Sequence, residues 1–187
     1  MKATFLCTVS LILAPLLVAA DCPAAPDHSA AFAELTAKAN AAQTEADGRV
    51  VSGLMWELWA DAPDDVAQEI LDRGMRRLRN SDFVGAVEDF DRLVAYCPAY
   101  AEGYNQRAFA RFLQGDFPVA LEDLEVTLEL SPNHVAARAG LALTYMQLGE
   151  IPQARTHLRT ALDLNPWLSE RHLLAKGGQL APDGEDI

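Results

Sequence analysis

The chain is short of positive charge. Its 187 residues carry 15 Lys and Arg against 27 Asp and Glu, a formal net charge of -12 at pH 7. Such a surface is repelled by phosphate backbones and anionic lipid heads, which argues against nucleic acid and membrane surfaces as partners. Aromatic residues make up only 7%. β-Branched residues are few while Ala and Leu abound, a balance that favours helix over sheet. Histidine is sparse as well: His28, His134, His157 and His172, with no two at i+3 or i+4 spacing. No Cys or His stands at ligand spacing from Cys22 or Cys97, and no EF-hand loop is present, so no metal site is expected. The sequence also lacks a P-loop, a dinucleotide fingerprint and a nucleophile elbow. These absences leave no catalytic constellation, so the chain is expected to be no enzyme and to hold no cofactor. The four histidines read as loop or surface residues, and the acid run Glu122, Asp123, Glu125, Glu129 as a solvated helix face.

Long hydrophobic runs are missing except at the start. There Lys2 precedes a largely apolar run over 5–20 that ends in Val18-Ala19-Ala20, small residues that suit a signal peptidase. Residues 1–20 therefore read as a secretory signal. The other reading is an uncleaved membrane anchor, for which the run is short and interrupted by Pro15. Cys22 follows Asp21 rather than a small residue, which argues against lipidation. Cleavage removes Lys2 and Cys7 and leaves Cys22 and Cys97. In an oxidising compartment an even pair suggests a disulfide; the alternative is two free thiols. The expected location is secreted, most simply periplasmic.

What the chain does have is a repeat. Pro98, Pro132 and Pro166 fall 34 residues apart. So do Ala86, Ala120 and Ala154, and so do Gly74, Ala108 and Ala142. Phe90, Leu124 and Leu158 share that spacing, as do Asp82, Asp116 and Glu150. Each register has a physical task. The small residues let paired helices approach closely. Gly115 and Gly149 can end a first helix in the left-handed conformation. Asp82 and Asp116 can cap the second, and Pro118 and Pro152 fall in its first turn, where a missing N–H costs nothing. The prolines closing each period stop the second helix.

The stretches AEGYNQRAFARFLQGDFPVALEDLEVTLELSP (101–132) and VAARAGLALTYMQLGEIPQARTHLRTALDLNP (135–166) closely resemble the tetratricopeptide repeat. A looser unit covers 67–98, with Ser81 in place of the turn glycine. The resemblance implies an all-α, right-handed solenoid of helical hairpins, with repeats at 67–100, 101–134 and 135–168. Arg77, Arg111 and Arg138 stand where the family usually has aromatics, and are expected to bury their stems and expose their heads. Around this core the sequence suggests an extended segment at 21–28 and a degenerate hairpin at 29–66, with helices near 29–43 and 47–60. That hairpin is expected as a fourth unit preceding the repeats, with Leu54, Met55, Leu58 and Trp59 as its apolar stripe. Trp56 and Trp59 read as core or groove residues. A capping helix is expected at 169–178, capped by Ser169, then an acidic disordered tail at 179–187.

In this family the first helices line a concave groove. Carried onto this sequence, that groove holds Leu71, Met75, Asn105, Phe109, Phe112, Leu113, Leu143 and Met146. The carboxylate clamp of the chaperone-binding members is absent, since Leu71, Met75, Ala136 and Gly140 occupy its places. An apolar groove suggests a protein or peptide partner, as an amphipathic helix or an extended apolar segment. Two readings follow. The chain is a non-catalytic adaptor or assembly module of the cell envelope, or it is a self-associating spacer whose groove is covered by its own 21–28 segment or hairpin.

Overall fold

The computed structural model describes residues 22–182. The signal reading of 1–20 and the last part of the acidic tail lie outside the described residues. Three hairpins form the body: α3 (Asp65–Arg79) with α4 (Phe83–Tyr96), α5 (Ala101–Gln114) with α6 (Phe117–Leu130), and α7 (Val135–Gln147) with α8 (Ile151–Leu164). They stack in order through α4 against α5 and α6 against α7. A further hairpin, α1 (Ser29–Ala41) and α2 (Glu45–Trp59), precedes them. The described residues contain no strand, so the fold is all-α.

The turns follow from their residues. Gly115 (φ 82) and Gly149 (φ 80) take the left-handed conformation where first helices end. Ser81 is forced into it at φ 60, which costs a residue with a Cβ roughly 1 kcal/mol. The Asp82 carboxylate accepts the Gly85 N–H at 3.0 Å, an N-terminal cap. Asp116 occupies the same position but makes no side-chain cap bond, contrary to expectation. Thr44 caps α2 by accepting the Asp47 N–H at 3.2 Å, so that helix begins a little before the expected 47.

Small residues set the helix spacing. Ala86, Ala120, Ala142 and Ala154 are fully buried and Ala108 nearly so. At Gly74 an added Cβ would overlap the Phe90 ring. Beside these contacts runs a charge ladder that the sequence reading missed. Arg73 bonds Asp89 at 2.8 Å, and Arg77 lies 3.2 Å from the same carboxylate. One repeat on, Arg107 and Arg111 clamp Asp123 at 2.6 and 2.8 Å. Asp89 and Asp123 are buried, so Asp123 belongs to no solvated face and the heads of Arg77 and Arg111 are paired. In the third unit the register changes to Leu141, Tyr145 and His157, and Tyr145 stacks on His157 at 5.4 Å.

The N-terminal hairpin exists, but it does not stack on α3 and α4 as a fourth unit would. It folds across the first-helix face to the far end of the solenoid. Leu35, Ala39, Val51, Met55 and Trp59 form one core with Val135, Ala139 and Ala161 of α7 and α8. The Trp167 indole N–H donates to the Ala39 carbonyl at 2.9 Å, and the Asn165 amide to Ser52 Oγ at 2.8 Å. Val51 takes the inward place expected of Leu54, which is exposed. At that end Trp59 stacks between Phe32 (5.0 Å) and His134 (4.2 Å), the residue that caps α7. Beside the first repeat packs the extended segment instead, with Cys22 and Ala25 against Ala62, Ala67 and Tyr100. Cys22 is joined to Cys97 in a disulfide, Cα to Cα 5.2 Å.

The C-terminal cap is a short 3₁₀ helix, Ser169–Leu174, with Leu168 rather than Ser169 at its N-cap position. The chain does not leave the body at 179. Leu180 is fully buried with Leu158 and Leu173, and Arg155 bonds the carbonyls of Leu180 and Ala181 at 3.1 and 2.8 Å. An apolar leucine and a waiting guanidinium outweigh the acidic composition there.

Candidate binding groove

A cavity of about 360 Å³ opens on the face shared by α3, α5 and α7. Its volume lies at the small end of the range for ligand pockets, about 300–1,000 Å³. α3 contributes Met75, Leu78 and Arg79; α5 contributes Asn105, Gln106, Phe109 and Phe112; α7 contributes Ala136, Gly140 and Leu143. The fourth wall is α2, through Trp56. Phe109 is 50% exposed, a large cost for an aromatic ring in water. Phe112 is braced edge-on by Phe117 at 5.3 Å.

The eight residues carried onto the groove divide. Met75, Asn105, Phe109, Phe112 and Leu143 line the cavity together. Leu71 does not: it is fully buried in the core of the first repeat, beneath Phe90 and Leu93. Leu71 shares a helix stripe with Met75 and Leu78, but it sits a turn nearer the start of α3, where the first-repeat core covers it. Leu113 is exposed outside the cavity, and Met146 packs toward Ala142, Ala154 and Leu158. Trp56, read as a core or groove residue, does line the cavity, although the hairpin that brings it there was expected at the other end of the solenoid.

Behind the cavity lies a polar cluster, also missed. His134 is no loop-surface residue. It is fully buried and caps α7, its Nδ1 accepting the Ala137 N–H at 3.2 Å. Its Nε2 meets Glu102 Oε2 at 2.9 Å. Glu102 is 1% exposed and also receives Asn105 Nδ2 (3.1 and 3.2 Å) and Gln106 Nε2 (2.6 Å). The Tyr100 hydroxyl donates to the Trp59 carbonyl at 2.7 Å, locking α2 to α5, and burial pushes that phenol far above its ordinary pKa. A second cavity of about 290 Å³ lies on the other side, between 25–29, Trp59 and Tyr100.

Among the described residues no group of three or more His, Cys, Asp or Glu is placed to hold a metal ion. No described helix is long and apolar enough to cross a membrane. What the groove offers is an apolar surface with a few oriented amides, which suits binding.

Comparison with known proteins agrees with this geometry. One tetratricopeptide-repeat family model matches residues 71–134 and another matches 111–176. The first TPR of Spaghetti (RPAP3), solved bound to the HSP90 peptide SRMEEVD, superposes with a TM-score of 0.57 at 18% identity, over 59% of this chain and 88% of that one. The TPR2B domain of yeast Sti1, in its pHsp70 complex, gives 0.54 at 26% identity, over 59% and 90%. The Yersinia enterocolitica type III secretion chaperone SycD, in complex with a peptide of the translocator YopD, gives 0.54 at 15% identity, over 61% and 87%. No curated protein sequence matches the chain. With two family models together spanning 71–176 and the repeat hairpins in place, the chain belongs to the tetratricopeptide-repeat family.

Proposed function

We propose that the protein is a non-catalytic adaptor or assembly module that holds a peptide segment of another protein in the cavity between α2, α3, α5 and α7. The observation that carries this is the open apolar cavity itself, with Phe109 half in water at its mouth. Contiguous exposed apolar surface marks interaction sites in soluble proteins. The neighbours support the reading, since RPAP3, Sti1 and SycD are each solved with a peptide or chaperone partner. We place the protein outside the cytoplasm, in the periplasm of a bacterial envelope. The apolar 1–20 segment and the Cys22–Cys97 bridge, which needs an oxidising compartment, support that placement.

A photoreactive side chain at Phe109, activated in the cells that make the protein, tests the reading. The expected adduct joins the chain to a peptide segment of a second protein and disappears when Leu143 is changed to Glu. Adducts only to residues of α2 would sink it.

The second reading, a self-associating spacer with a self-covered groove, draws on one feature: α2 already covers the α7 end of the groove and exposes Val50 and Leu54. Light scattering separates the two, because a monomer at high concentration removes the spacer.

A further inference from the structure

The proton positions around Glu102 follow from a chain of donors and acceptors. The Ala137 N–H points at His134 Nδ1, so that nitrogen is the acceptor and the ring hydrogen sits on Nε2. Nε2–H then donates to Glu102. The carboxylate therefore acts as an acceptor, and it fixes the amides of Asn105 and Gln106 with their NH₂ groups turned toward it. Their carbonyl oxygens face the other way. Both side chains line the groove cavity, so the two amides turn acceptors toward it.

The electrostatics point the same way. Glu102 is 1% exposed, and among the described residues its one contact at ion-pair distance is His134, whose Nδ1 is already taken as the acceptor of the cap bond. Among the described residues no Lys or Arg lies at ion-pair distance from it. Buried charge is ordinarily matched by an opposite one. Here two amides bridge from the buried carboxylate to an open cavity, their N–H groups bound to Glu102. Arg79, the cation on the cavity wall, comes from the last turn of α3 and not from the helix that carries the two amides.

We propose that the groove receives a cationic group, a lysine or arginine flanked by apolar side chains on a partner peptide, seated on the Asn105 and Gln106 carbonyls. This is opposite in sign to a groove that holds a terminal carboxylate. The inference rests on the groove reading above and specifies its partner.

Three synthetic peptides test it. They share one leucine- and phenylalanine-rich sequence, blocked at both ends, and carry lysine, norleucine or glutamate at one central position. Affinities are measured by calorimetry against the disulfide-bonded chain. The lysine peptide is expected to bind about tenfold tighter than norleucine, and glutamate weaker than both. Glu102→Gln is expected to erase that order. Because this variant loses a buried bond to His134, the pair Asn105→Leu/Gln106→Leu serves as a second test with the Glu102–His134 contact kept, and circular dichroism checks folding of each. Equal affinities, or preference for glutamate, overturn the cation assignment and leave the groove reading standing. Saturable, Phe109-dependent binding of none of the three overturns the groove reading and this inference with it.

Discussion

The ring of Phe90 lies where a Cβ on Gly74 would stand, so one missing atom decides how closely α3 and α4 pack. Gly74→Val is expected to cost about 1–3 kcal/mol as overpacking, read as a lower urea midpoint at unchanged slope. Asp123 carries a different load. Arg107 and Arg111 both point at it, and removing a buried partner strands the others. Asp123→Ala is expected to lose about 3 kcal/mol, more than Glu122→Ala next to it, which is exposed; equal losses would refute the ladder. His157 replaces that aspartate in the last repeat. Burial, and then the charge of Arg138, lower its pKa below the ordinary histidine value. The folded state therefore resists a proton that the unfolded chain accepts. Stability is expected to fall as the pH drops through about 6.5, and His157→Gln to flatten that slope in a melting series between neutral and mildly acid pH.

At the scale of elements, the N-terminal hairpin depends on two fastenings. One is the core that α2 shares with α7, centred on Trp59 between Phe32 and His134. The other is the Cys22–Cys97 bridge, which closes a loop of 75 residues. Chain entropy sets its contribution at up to about 4 kcal/mol. Cys97→Ser is expected to lower stability by at most that amount and to speed amide exchange in α1 and α2 more than in α5 to α8. Uniform exchange would show that the hairpin needs no tether. The three repeats were legible in the sequence because each unit meets only its neighbours, so Gly74, Ala86 and their 34-residue images state their contacts locally. The hairpin was legible as two helices but not in its place. Nothing near Trp59 in the chain tells of His134, which is reached only in space. The groove was half legible for the same reason: Met75, Phe109 and Phe112 follow repeat register, whereas Trp56 arrives from a distant element. Leu71 was misplaced because it lies one turn before Met75 on the same stripe of α3, and repeat register does not state how far along that stripe the first-repeat core reaches.

At the scale of the whole molecule, the hairpin turns an open stack into a closed body, with α2 lying between the first and last repeats. A partner therefore meets a pocket of limited volume rather than a long channel. Sequences that fit it are expected to place no more than a few side chains inside, so truncating a bound peptide to its central residues should retain most of the affinity.

The bond from Trp167 to the Ala39 carbonyl spans 128 residues of sequence. Repeat proteins ordinarily assemble by adding each unit to the one already made. Here the hairpin at 29–59 has its docking surface on α7 and α8, which are synthesised after it. Residues 29–59 must wait until α7 and α8 have emerged, so a ribosome stalled before residue 135 should display a hairpin open to protease while α3 and α4 already resist it. Emergence of α7 and α8, rather than completion of any earlier unit, is the event that closes this fold.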